Sequence, residues 1–193
     1  MMQSTFNVYP CPMKSPLHPH ISLVAKEIEP HLNAYECPES QGVWIPLQSY
    51  FNWLQKHAAT IKPLPADYVP DVIEDDTQEV LFCPESGCIL ARYKVGRGFD
   101  FHVDRSPLTG GVWLNQGEWD ALKSMELHDD LHLIFTAHYQ QRVRSESFEY
   151  NLLKSFQDRI GEEDFPKVAE FRNWLLDHPK KRDIQAFLLD RKL

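Results

Sequence analysis

The sequence lacks the features that most often announce a function. No apolar run approaches the ~18 residues that a membrane-spanning helix needs. The opening Met1-Met2-Gln3-Ser4-Thr5-Phe6 has no basic region followed by an apolar stretch, so neither export nor a membrane partner is expected. Cysteine is scarce, four residues in 193. The expected location is cytoplasmic, where such cysteines serve as thiols or metal ligands rather than disulfides. There is no phosphate-binding glycine loop, no Gly-x-Ser-x-Gly elbow and no His-Glu-x-x-His, so no enzyme is expected. Positive charge is also missing from most of the chain. Residues 1–136 carry 9 Lys or Arg against 18 Asp or Glu, whereas 137–193 carry 11 against 10. A surface that tracks phosphates needs Lys and Arg, which counts against nucleic acid as the partner of the acidic part. What remains, 42% hydrophobic and 12% aromatic residues at a net charge of -8, is the composition of a packed soluble protein.

Two stretches lie in register. Cys37-Pro38-Glu39-Ser40-Gln41-Gly42-Val43-Trp44-Ile45 aligns with Ser106-Pro107-Leu108-Thr109-Gly110-Gly111-Val112-Trp113-Leu114, Gly on Gly and Trp on Trp. Each has an upstream Cys-Pro, at Cys11-Pro12 and Cys83-Pro84, and each runs on into a helix-like segment. The run Gly110-Gly111-Val112-Trp113-Leu114-Asn115-Gln116-Gly117-Glu118 resembles the tail of the TFIIB-type zinc-ribbon family of bacterial proteins. The segments Gly161-Glu162-Glu163-Asp164-Phe165 and Glu170-Phe171-Arg172-Asn173-Trp174-Leu175 resemble the helical tail that often follows that ribbon. The resemblance implies a β-ribbon around four thiolates in each unit. Carried over by position, the ligand places hold Cys11, Lys14, Cys37 and Ser40 in the first unit and Cys83, Ser86, Ser106 and Thr109 in the second.

The expected fold is α+β: two small zinc-ribbon-like β units, each followed by a helix, plus a C-terminal helical region. The first unit with its helix takes residues 1–60, a Pro-rich acidic linker 61–80, the second unit 81–125 and the helical region 126–193. Leu47, Tyr50, Phe51 and Leu54 fall at helical spacing. Ile89–Val95 and Phe99–Asp104 flank Gly96-Arg97-Gly98 as a hairpin, with Phe99, Phe101 and Val103 on one side and Asp100, His102 and Asp104 on the other. Phe148, Leu152, Phe156 and Ile160 form a second stripe that stops at Gly161. Asp164 and Pro166 open a further helix whose buried face is expected to be Val168, Phe171, Trp174 and Leu175, and Ile184, Phe187 and Leu188 suggest a last short one.

A closed zinc site needs four deprotonated ligands, and hydroxyls are poor substitutes because they stay protonated near neutral pH. Three arrangements are open. Both units have lost the metal and packing replaces it, so that no cofactor is present. Alternatively, the second unit keeps a rearranged structural zinc on Cys83 and Cys88 with His102 or Asp104. The third is a site shared between units through Cys11 and Cys37. His128 and His132 would share a helix face and could hold a metal ion, the feature on which an enzyme reading would rest. Arg142 and Arg144, with Lys180, Lys181 and Arg182, are the basic clusters that could touch phosphates, although acidic neighbours follow both. The functional expectation is a non-enzymatic binding or adaptor protein whose degenerate zinc ribbons present a surface to a protein partner, with transcription-related regulation as its setting; nucleic-acid binding through those clusters is the alternative.

Overall fold

Two short apolar triplets hold the sheet together. In the computed structural model, which describes residues 12–57, 79–96 and 99–190, the elements run β1 (Val24–Glu29), β2 (Leu32–Glu36), β3 (Val43–Ile45), α1 (Leu47–His57), β4 (Ala91–Gly96), β5 (Phe99–Arg105), β6 (Val112–Leu114), α2 (Glu118–Ser124), α3 (Leu131–Ile134), α4 (Ala137–Ile160), α5 (Phe165–Asp177) and α6 (Lys181–Leu189). The fold is α+β. The six strands form one sheet in the order β1-β2-β3-β6-β5-β4, each pair antiparallel. The two stretches read as tandem units therefore share a single sheet, joined where β3 pairs with β6.

That joint is symmetric in the pairing. Trp44 lies opposite Trp113, Val43 opposite Leu114 and Ile45 opposite Val112. Side chains alternate between faces, so the tryptophans enter one apolar cluster with Met13, Leu23, Cys37, Leu81, Cys83 and Leu90. Val43, Ile45, Val112 and Leu114 enter the larger cluster with the helices. Burial on both faces is why these strands read as unbroken apolar runs rather than as alternating ones. The glycine before each triplet has a specific task. A Cβ on Gly42 would lie 2.3 Å from Trp113 Cζ2, and one on Gly111 would lie 2.3 Å from Trp44 Cζ2. Each indole is seated on the other half's glycine.

The expected stripes and the hairpin are present, with instructive differences. Tyr50 and Trp53 of α1 are buried, and Phe51 and Leu54 pack against the same cluster. Phe101 and Val103 share a face as expected and are buried; Asp104, on the other face, is buried too, standing opposite Trp113 and pairing with Arg92 at 3.3 Å. Phe99 and Asp100 side chains, the turn residues 97–98 and most of the expected linker lie outside the described residues.

The chain divides into two compact units, with the division between Val143 and Arg144. In the first, the start of α4 is tied to β4: Tyr139 Oη donates to Val95 O at 2.7 Å and Gln140 Nε2 to Lys94 O at 2.9 Å. In the second, α4 ends at Gly161, whose φ of 97° is the left-handed conformation that glycine supplies. Asp164 precedes α5 but does not cap it; its carboxylate accepts from Lys167 Nζ at 2.8 Å. The face expected to be buried is not. Val168, Phe171 and Trp174 are exposed, and no residue of α5 or α6 is buried. Three helices in a unit of this size have too little apolar surface facing inward to close a core of their own. Among the described residues no helix is long and apolar enough to cross a membrane.

Candidate functional site

The cluster behind the paired tryptophans is closed by four tight turns, two in each half of the sheet. Cys37 N donates to Gly42 O at 2.8 Å and Gln41 N to Cys37 O at 2.9 Å. The second half repeats this, Ser106 N to Gly111 O at 2.9 Å and Gly110 N to Ser106 O at 3.0 Å. Upstream, Cys83 N donates to Cys88 O at 2.7 Å, and the counterpart is Ser15 N to Ile21 O at 2.9 Å. The bridges Phe82↔Ile89 and Lys14↔Ser22 flank those two turns in the same way. In every case the residue that opens the turn faces inward: Ser15, Cys37, Cys83 and Ser106 are all buried.

This topology moves the first turn of the first half. It is Ser15-Pro16-Leu17-His18, not Cys11-Pro12-Met13-Lys14, that corresponds to Cys83-Pro84-Glu85-Ser86. Lys14 is exposed and its Nζ donates to Ser22 Oγ at 3.1 Å. Cys11 lies outside the described residues, and what meets the Cys37 thiol is the hydroxyls of Ser15 and Ser40. The alignment on Cys-Pro pairs missed this because Ser-Pro four positions later is an equally good turn opener; the Leu23 N to Met13 O bond, matching Leu90 N to Leu81 O, is what fixes the register.

In the second half, the positions that the resemblance would fill with thiolates converge, Cys83 bonding to Thr109 directly and Ser86 and Ser106 through Cys88. Ser86 Oγ donates to Cys88 Sγ at 3.1 Å, Cys88 Sγ and Ser106 Oγ are 3.5 Å apart, and Cys83 Sγ and Thr109 Oγ1 are 3.7 Å apart. Backbone amides complete the set, Ser86 N to Cys83 Sγ at 3.4 Å and Thr109 N to Ser106 Oγ at 3.1 Å. Burial raises the Cys37 thiol pKa, but its bonds from Ser15 and Ser40 outweigh this and leave it below the ordinary thiol value. Bonds from Ser106 and Ser86 likewise lower Cys88.

A tetrahedral zinc needs four soft or borderline donors, and this donor set is mostly hydroxyl. Among the described residues no three of His, Cys, Asp and Glu stand close enough to hold a metal ion together. The proposed ligands Cys83, Cys88 and His102 are thus not assembled. Both cysteines belong to a turn, whereas His102 lies along β5 opposite Lys94, held there by the strand register. A shared site through Cys11 and Cys37 has only Cys37 within the described residues.

His128 and His132 take different surroundings. His128 is buried between Trp53 and Trp119, ring centroids 6.3 and 6.2 Å away, and burial lowers its pKa below the ordinary 6.5. His132 lies against Tyr50 and Phe51. The residues from Leu127 to Ile134 are tied in by Tyr50 Oη, 2.7 Å from Asp129 O. Arg142 stacks on Tyr139, and Arg144, Lys180, Lys181 and Arg182 are exposed, Lys181 Nζ donating to Leu176 O at 3.2 Å. Arg105, which sequence reasoning did not single out, lines a cavity with His132. Comparison of the chain with protein-family models, curated proteins and solved structures finds no match.

Proposed function

We propose that the protein is a non-enzymatic adaptor in which two zinc-ribbon-like halves, maintained by packing and hydrogen bonds instead of metal, form a scaffold, and the C-terminal helices bind a protein partner. The observation that carries this reading is the unsatisfied apolar surface of the second unit. From Arg144 to Asp190 no residue is buried, yet Phe148, Trp174 and Phe187 are 68%, 51% and 65% exposed. Large apolar side chains at this exposure on each of three helices mark a surface that is covered in use. The basic residues of the same unit, Arg144 and Lys180 to Arg182, are followed by acids, which favours a protein over a phosphate backbone.

A photo-crosslinking residue in place of Phe187, in the cells the protein comes from, tests this. The expected result is a discrete adduct with a different protein, identified by mass spectrometry, whose purified form binds the full chain and loses at least about tenfold in affinity with Trp174→Ser, as removal of an aromatic anchor does. Adducts only with a second copy of the chain, or binding to nucleic acid that survives Trp174→Ser and weakens with salt, would overturn it.

A further inference from the structure

The helix-covered face of the sheet carries two creases, each between a helix of one half and a turn of the other. One is lined by Glu36, Gln41, Val43, Gln116 and Trp119. The other is lined by Arg105, Gly110, Val112, Leu47 and Tyr50, the residues in the corresponding positions, and has a volume of about 270 Å³. The creases differ in how their charge is treated. In the first, the Glu36 carboxylate is ion-paired with Lys26 of β1. In the second, Arg105 stands where Glu36 stands, since Val24 pairs with Glu36 as Ala91 pairs with Arg105. Tyr93 then takes the place of Lys26. The guanidinium has no carboxylate or hydrogen-bond acceptor among the described residues. It lies over the Phe135 ring, 5.0 Å from the centroid, and its Nε is buried without a partner. His132 lines the same crease, and its Nδ1 is also buried without a partner. The remaining walls are apolar, among them Ile45, Phe51 and Leu131.

An unneutralised cation and an unbonded imidazole nitrogen in an apolar crease are costly to keep and favour an incoming anion. We propose that this crease is a binding site for a small carboxylic acid with an aromatic or branched apolar body, its carboxylate on the N–H edge of Arg105 and on His132, its body against Phe51 and Leu131. The planar guanidinium matches a carboxylate, and its face is already taken by Phe135, so the in-plane donors remain. A phosphate would bring more charge and more acceptors than one guanidinium and one imidazole can satisfy. At about 270 Å³ the crease has room for a single ring bearing a carboxylate, the size of benzoate or phenylacetate. The site lies wholly within the first unit and is independent of the adaptor role.

Titration of benzoate and phenylacetate into isotope-labelled full-length protein tests it, followed by NMR at the Gly110 and His132 amides and the Arg105 Nε–H. Saturable shifts at all three are expected, weakened about ten- to a hundredfold by Arg105→Gln, the range for a lost charged hydrogen bond, and unchanged by Lys26→Met in the other crease. Should Arg105→Gln fail to fold, the Arg105 Nε–H resonance of the unaltered protein and His132→Ala decide. No saturation by ~10 mM, benzamide binding as tightly as benzoate, or inorganic phosphate saturating the same resonances more tightly would each overturn the proposal.

Discussion

Pro46 in the first half of the sheet and Asn115 in the second hold corresponding places, at the corner between the central strand and the helix that follows. Pro46 has no amide to satisfy there, and Tyr50 N reaches its carbonyl at 3.1 Å. Asn115 has both an amide and a side chain, and Glu118 takes both, accepting from Asn115 N at 2.8 Å and Asn115 Nδ2 at 3.1 Å while itself fully buried. The same contrast runs through the turns, where one half sets Ser15, Cys37 and Ser40 together and the other sets Cys83, Ser106 and Thr109. What both halves keep unchanged is the glycine under the opposite tryptophan. Chemistry at corners and turns can be exchanged as long as every polar group finds a partner; shape at the joint cannot.

The comparison breaks most visibly at the joint itself. Trp44→Ala and Trp113→Ala should each cost about 3–5 kcal/mol, and by similar amounts, as measured by denaturant unfolding; a large cost for only one would show that the halves are not equivalent. Next, Ser86→Cys, Ser106→Cys and Thr109→Cys together would give the second half four converging thiols with Cys83. Zinc should then stabilise that variant by about 2.7 kcal/mol at a hundredfold excess over its Kd, seen as a metal-dependent Tm absent from the parent. Gly42→Ala and Gly111→Ala follow at about 1–3 kcal/mol each, because a 2.3 Å approach to an indole must be relieved by moving a packed strand.

A smaller effect lies at His128, whose surroundings have no counterpart in the first half among the described residues. Its folded pKa is depressed by burial, so above 6.5 it is neutral in both the folded and unfolded chain and contributes no pH dependence. As pH falls below 6.5 the unfolded chain takes up the proton first, and stability is lost progressively until the folded value is passed. His128→Leu should remove that acid-side slope in Tm, and its persistence would locate the slope elsewhere. The smallest change is expected in the second unit: Trp174→Ser should alter stability by no more than about 0.5 kcal/mol, since Trp174 is half exposed, in contrast to the fully buried Trp44 and Trp113.

Much of this arrangement could be read before the fold was known. The Gly-Val-Trp triplets, the helix after each, the hairpin between Ala91 and Arg105 and the stop at Gly161 all follow from local pattern, because strand alternation, helical periodicity and glycine's access to positive φ are properties of a few neighbouring residues. The seating of Trp44 on Gly111 was not legible, since it joins residues far apart in the chain. Nor was the register of the first turn, where a Ser-Pro and a Cys-Pro compete and the pairing of Met13 to Ser15 with Ile21 to Leu23 decides. Alternation placed Asp104 on the face opposite Phe101 and Val103, but it says which residues share a face, not that this second face is covered as well.

Sequence by itself thus determined the elements, their class and the correspondence between two stretches, all of which are encoded in spacing over a few residues. Tertiary structure alone decided that those stretches close into one sheet, that the second half's turn hydroxyls and thiols bond to each other, and that Arg105 finds among the described residues no counter-charge such as Glu36 has in Lys26. Those outcomes depend on which distant backbone segments meet, and hydrogen bonding, burial and charge pairing are properties of the meeting.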